Sequence, residues 1–183
     1  MENYFDGVTI SGPEFRDLLV ARARRGVVSS PTGEPYIAFH VRLGDFSRAG
    51  ASESGVSKNN TSSPIEWFVA RAKAARDAHP GVRVFVCSDG DDAELAPLLC
   101  EQGVVRSTGR NALDDMVFMS HAAGIVGSRS TFSAWGAFLG DVPMVVQTGG
   151  NAYRPHGRVW EVSAYEATTD WDDQVRRRCL KTR

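Results

Sequence analysis

Five short apolar runs, at 36–41, 82–87, 104–105, 124–127 and 141–146, constrain this 183-residue chain more than any other feature. Each is nearly continuous rather than alternating apolar with polar, and helical patterns separate one from the next. A strand that is apolar on both faces has to be covered on both faces, and strands connected through helices run parallel. The expected fold is therefore α/β, a doubly wound, Rossmann-like parallel sheet. In such sheets ligands sit outside the carboxyl ends of the strands. The residues that follow each run are thus the first place to look for chemistry.

Helix-start signals support this order. Ser11-Gly12-Pro13-Glu14 reads as a capping box opening an amphipathic helix with a basic last turn at 22–25. Ser63-Pro64-Ile65-Glu66 places a proline at the first helical position of a second helix, which runs to about His79 and stops at Pro80-Gly81. Asp91 and Asp92 open a helix over 93–102, Asp114 and Asp115 one over 114–121, and Ser130-Thr131 an apolar one over 132–139. The polar segment 47–62, rich in Gly, Ser and Asn, reads as a mobile loop able to close over a ligand. The chain divides into a helical lead-in (1–35), a Rossmann-like α/β domain (36–150) and a polar C-terminal extension (151–183).

Composition narrows the function by exclusion. Lys and Arg number 21 against 22 Asp and Glu, so no basic excess exists to drive nucleic-acid binding. No apolar run approaches the roughly 20 residues that span a bilayer, and the N-terminus lacks the pattern of a signal peptide. The expectation is a cytoplasmic protein, with peripheral membrane association as the variant. Cys87, Cys100 and Cys179 form no C-x-x-C pair and read as buried thiols in a reducing compartment.

Three strand ends carry polar clusters: His40, Arg42 and Asp45; Ser88, Asp89, Asp91 and Asp92; and Ser128, Arg129, Ser130, Thr131 and Ser133. A parallel sheet brings all three to one edge. Arg42 offers a fork of donors suited to a diphosphate, unless it pairs with Asp45 in a loop. Ser130, Thr131 and Ser133 stand where a strand enters a helix, an arrangement that suits phosphate or simple capping equally. Asp89 and its neighbours suit either Mg²⁺ or a helix dipole, with the dipole favoured. Asp115 either starts a helix or accepts from the N1–H and exocyclic amine of guanine. His121 and His156 read as structural or surface residues, and Trp67, Trp135 and Trp160 as packing, Trp160 least securely. Nucleophile-elbow, zinc-protease, P-loop and dinucleotide motifs are absent from the sequence.

Taken in order, His40-Val41-Arg42-Leu43-Gly44-Asp45, Val84-Phe85-Val86-Cys87-Ser88-Asp89, Asp115-Met116-Val117-Phe118-Met119-Ser120 and Ser130-Thr131-Phe132-Ser133-Ala134-Trp135-Gly136-Ala137 resemble the motifs of GDP-fucose-dependent fucosyltransferases, most of all the α-1,2-fucosyltransferase family. The resemblance covers roughly 36–146. It implies the donor-binding domain of a GT-B glycosyltransferase, acting with inversion on GDP-fucose and a glycan acceptor, without a cofactor or an obligatory metal. By the same resemblance Arg42 is the catalytic residue that binds the β-phosphate and assists GDP departure. His40 and Asp115 contact the nucleoside, Ser130, Thr131 or Ser133 holds the pyrophosphate, and Asp45 and Asp89 complete the donor site.

Two departures qualify what is carried over. Leu43 stands where the family motif has a second arginine, and only 39 residues precede His40, against on the order of 100 or more in the family. The acceptor-facing half is therefore expected to be largely missing from this chain. The alternatives are a non-catalytic nucleotide- or glycan-binding module and a GT-B transferase using another sugar nucleotide.

Overall fold

The computed structural model describes residues 5–23, 33–44, 63–109, 111–149 and 153–181. Asp45, the 47–62 loop and the basic turn beyond Ala23 lie outside the described residues. Six parallel strands form one sheet: β1 (Tyr36–Val41), β2 (Arg83–Ser88), β3 (Val104–Arg106), β4 (Gly124–Gly127), β5 (Met144–Gln147) and β6 (Val159–Val162). Their spatial order is β3-β2-β1-β4-β5-β6. The helices are α1 (Gly12–Arg22), α2 (Ile65–Ala78), α3 (Asp92–Leu99), α4 (Ala112–Ser120), α5 (Thr131–Gly140) and α6 (Thr169–Lys181). This is the expected doubly wound α/β fold of the Rossmann type.

The continuous apolar runs explain the layering. Every residue of β1 is buried, and successive side chains alternate between two cores. Ile37, Phe39 and Val41 pack with Trp67 and Phe68 of α2, Leu95 and Leu98 of α3, and Trp171 and Val175 of α6. Tyr36 and Ala38 pack on the other face with Phe118 and Met119 of α4 and Ala134 and Ala137 of α5. The Tyr36 ring stacks on Phe118 at 4.6 Å, and its hydroxyl donates to the Phe118 carbonyl at 2.6 Å. A buried hydroxyl without such an acceptor would cost about 1–3 kcal/mol. The capping box at Ser11 and Glu14 forms, and α1 lies against α5, where Gly12 meets the Phe138 carbonyl so closely that no side chain would fit.

Several local features differ from the sequence reading. Pro64 is the N-cap of α2 rather than its first helical residue, and Ser63, buried beside it, makes no side-chain cap. The helix expected to begin at Asp114 begins at Ala112, with Asn111 as its cap. Strand β5 starts at Met144, because Asp141 adopts the left-handed conformation (φ 50°) that ends α5. Only Cys87 is a buried thiol; Cys100 is exposed and Cys179 half-buried.

The polar C-terminal stretch supplies β6 to the sheet and α6 to the core on one of its faces. Its apolar residues are sparse but well placed: Val159 and Val162 are buried in β6, and Trp171 and Val175, one helical turn apart, are buried in α6. The Trp171 indole donates to the Pro143 carbonyl at 3.0 Å, and Gly124 gives its ring room on β4. Two polar clamps tie the stretch to α2. Buried Arg71 donates to the carbonyls of Ala164 and Glu166, and His79 Nε2 lies 2.9 Å from Asp172 Oδ1. Charged neighbours at 170, 172, 173 and 176–178 hide this spacing in the sequence.

Candidate functional site at the carboxyl ends of the central strands

The chain's crossovers reverse direction between β1 and β4, and the strand ends there open a crevice. Hydroxyls lace these ends together. Ser128 Oγ, after β4, accepts from the Arg42 N–H at 2.9 Å and donates to the His40 carbonyl at 3.1 Å. Ser88 Oγ, at the end of β2, donates to the Val41 carbonyl at 2.6 Å and accepts from the Gly90 N–H at 3.0 Å. The backbone at His40 to Arg42 is thereby fixed from both sides.

The turn that follows is organised by Asp89. Its carboxylate accepts from the N–H groups of Leu43 (2.9 Å) and Gly44 (3.2 Å) and pairs with Arg42 Nη1 at 2.8 Å. Arg42 therefore pairs with a residue of the next strand end; Asp45, the partner considered from the sequence, lies outside the described residues. Both side chains keep about a third of their surface in water. The ion pair with Asp89 holds the guanidinium at the strand end. Leu43 turns to the α2/α3 side, where it packs on the apolar cluster and against Gly90.

His40 points to the opposite face. It is 4 % exposed, its Nδ1 lies 2.6 Å from Ser133 Oγ, and its ring faces Phe132 at 5.0 Å. Burial, with a smaller contribution from Arg42, pushes the imidazole down to about 4, against the opposing pull of Asp89. It is neutral at physiological pH. Asp115, on α4, is half-buried beside Ser107 Oγ (3.4 Å) and the Cys87 thiol. Burial raises its pKa above the ordinary carboxylate value, and it in turn helps burial raise that of Cys87. Gly109 faces this carboxylate at a distance that leaves no space for a methyl group.

A cleft of about 260 Å³ joins these groups: His40, Arg42, Asp89 and Asp115 line it, with Ser88, Gly109, Asn111, Ala112 and Phe132. Five of the residues singled out in the sequence, Ser88 among them, thus converge. Ser130, Thr131 and Ser133 are close by on α5 but do not line the cleft. Ser130 Oγ caps α5 by accepting from the Phe132 N–H at 3.1 Å, Ser133 is fully buried on His40, and Thr131 is half-buried at the first helical position. Arg129 is held elsewhere, donating to the Thr148 carbonyl at 3.0 Å. Gly109, Asn111 and Phe132 were not picked out from sequence; an asparagine four residues before Asp115 was the available signal for the second of them.

The fold and the strand-end cleft together define an α/β protein of the Rossmann type with its candidate site at the topological switch point. Among solved structures this chain is similar to the glycosyltransferase of kitacinnamycin (TM-score 0.42, 16% identity, 88% of this chain and 38% of that one). It is also similar to POFUT1 in complex with GDP (TM-score 0.41, 18% identity, 74% and 45%) and to CalG4, the calicheamicin glycosyltransferase (TM-score 0.45, 16% identity, 85% and 41%). The chain spans less than half the length of each of these. No family model and no curated protein matches it.

Proposed function

We propose that this chain is the donor-binding unit of a fucosyltransferase-like glycosyltransferase and that its strand-end cleft takes GDP-fucose. The observation that carries the reading is the convergence of His40 and Arg42, at the end of β1, with Asp115 of α4 on one cleft. Arg42 supplies a fixed positive charge with donors for the β-phosphate, neutralising the diphosphate as it leaves. The adjacent N-terminus of α5, with Thr131 in its first turn, adds a partial positive charge for the same group. Asp115 accepts from the base, and neutral His40, held by Ser133, lies beside the nucleoside without adding a charge. Transfer inverts the anomeric centre, with the acceptor hydroxyl arriving opposite the diphosphate. No metal is required in this scheme, because arginine and helix dipole take over charge neutralisation.

One observation favours the non-catalytic alternative. Leu43 is packed on the core side, so the second arginine of the family motif has neither a residue nor an opening toward the cleft here. Calorimetry with GDP, GDP-fucose and UDP, followed by assay of GDP release with a panel of glycan acceptors, separates the readings. Tight GDP binding with fucose transfer supports the transferase; GDP binding without turnover supports the module. Absence of GDP binding, or equal binding of UDP, removes the assignment.

A further inference from the structure

The cap of α4 places a side-chain amide at the cleft. Asn111 Oδ1 accepts from two backbone N–H groups, those of Leu113 at 2.9 Å and Asp114 at 3.1 Å. An amide nitrogen cannot accept either bond, so the two contacts fix which end of the side chain is oxygen. The Nδ2 group, with two donors that no described residue accepts, is therefore the end available to the cleft that Asn111 lines. Asp115 lies four residues on, its N–H bonded to the Asn111 carbonyl at 3.2 Å, and it lines the same cleft. A pair of donors and an acceptor-only carboxylate are thus placed side by side.

We infer that Asn111 and Asp115 together read the edge of a 6-oxopurine, Asn111 donating to the O6 carbonyl and Asp115 accepting from N1–H and the exocyclic amine. This rests on the nucleotide reading of the cleft. A 6-aminopurine presents the reverse pattern, an amine facing Nδ2 and an unprotonated N1 facing the carboxylate, and is rejected because both protein groups are left unpaired. A base without the 6-oxo group loses the Asn111 contact, whereas one without only the exocyclic amine retains it.

The test uses two substitutions that keep the cap. Aspartate and serine are both strong N-cap residues, so Asn111→Asp and Asn111→Ser preserve α4 while removing the amide donors. Calorimetry with GDP, IDP and ADP is run on the full chain, with melting temperature as the folding control. Wild type is expected to bind GDP and IDP well above ADP. Asn111→Ser is expected to lose about tenfold in GDP and IDP affinity, roughly the worth of one hydrogen bond. Asn111→Asp, which offers an acceptor to the 6-amino group, is expected to lower the GDP-to-ADP preference by at least tenfold. Wild type that prefers GDP, with folded variants keeping the same GDP-to-ADP ratio, would overturn the role of Asn111 and leave the cleft assignment standing. Wild type that binds no purine nucleotide would overturn both.

Discussion

Replacing Asp89 with alanine tests whether the strand-end turn is built as described, because that carboxylate holds three groups of β1's end at once. Two are backbone N–H groups, of Leu43 at 2.9 Å and Gly44 at 3.2 Å; the third is Arg42 at 2.8 Å. Hydrogen bonds to a charged acceptor contribute about 1.5–3 kcal/mol each when protected from water. Here the side chain is 30% exposed and Gly44 is exposed, so water replaces part of what is lost, leaving about 0.5–1 kcal/mol for each. The ion pair, exposed to a similar degree on both sides, adds about 0.5 kcal/mol. The expected loss is about 2 kcal/mol, seen in urea denaturation as a lower midpoint with an unchanged slope and in a thermal melt as a fall of roughly 4–8 °C. Asp89→Asn, which retains one acceptor oxygen, is expected to lose about half as much. A loss below about 0.5 kcal/mol for Asp89→Ala would refute the claim that Asp89 organises the turn.

Three further outcomes follow from the same geometry. Because burial holds the His40 imidazole near 4, against an ordinary value of 6.5, the unfolded chain binds a proton that the folded chain resists between those values. Its contribution is fully present above pH 6.5 and is lost as pH falls toward about 4, with a slope of up to about 1.4 kcal/mol per pH unit. His40→Gln is expected to flatten that part of the pH–stability curve; since His121 and His156 are displaced in the same direction and Asp115 in the opposite one, the difference between variant and wild type is what denaturation at each pH has to show. Gly109→Ala places a methyl on the Asp115 carboxylate, so nucleotide affinity measured by calorimetry should fall at least tenfold while the melt shifts little; unchanged affinity would remove Asp115 from the site. Trp171→Ala opens a cavity under β4 and removes one of two hydrogen bonds to the Pro143 carbonyl, the other coming from the Ile125 N–H, and should cost about 3–5 kcal/mol by chemical denaturation, showing that the C-terminal helix is part of the core.

The sheet was legible because its strands are apolar on both faces, a pattern that has few solutions. The ends of the strands were legible for a related reason: charged and hydroxyl residues directly after an apolar run have nowhere to go but the sheet edge. What escaped the sequence depended on partners distant in the chain. Nothing local to Arg42 says that position 89, 47 residues on, supplies it with a carboxylate. The Ser133 hydroxyl reads as a helix-start group, yet it is turned onto a histidine 93 residues earlier. Helix α6 spaces Trp171, Val175 and Cys179 four residues apart among charges that mask the pattern, and its seat on the sheet depends on the fit of Trp171 over Gly124, a residue far away in the chain. Asn111 was overlooked because the helix was started two residues late, at the acidic pair rather than just after its cap.

The most direct test of the donor-cleft proposal is isothermal titration of GDP into the wild-type chain and into Arg42→Ala, with UDP as the comparison ligand. GDP is expected to bind the wild type in preference to UDP, and Arg42→Ala to weaken GDP by about 2 kcal/mol, roughly 30-fold, while its melt stays within a few degrees of wild type. Equal affinity of wild type and variant for GDP, or equal affinity of wild type for GDP and UDP, would contradict the proposal.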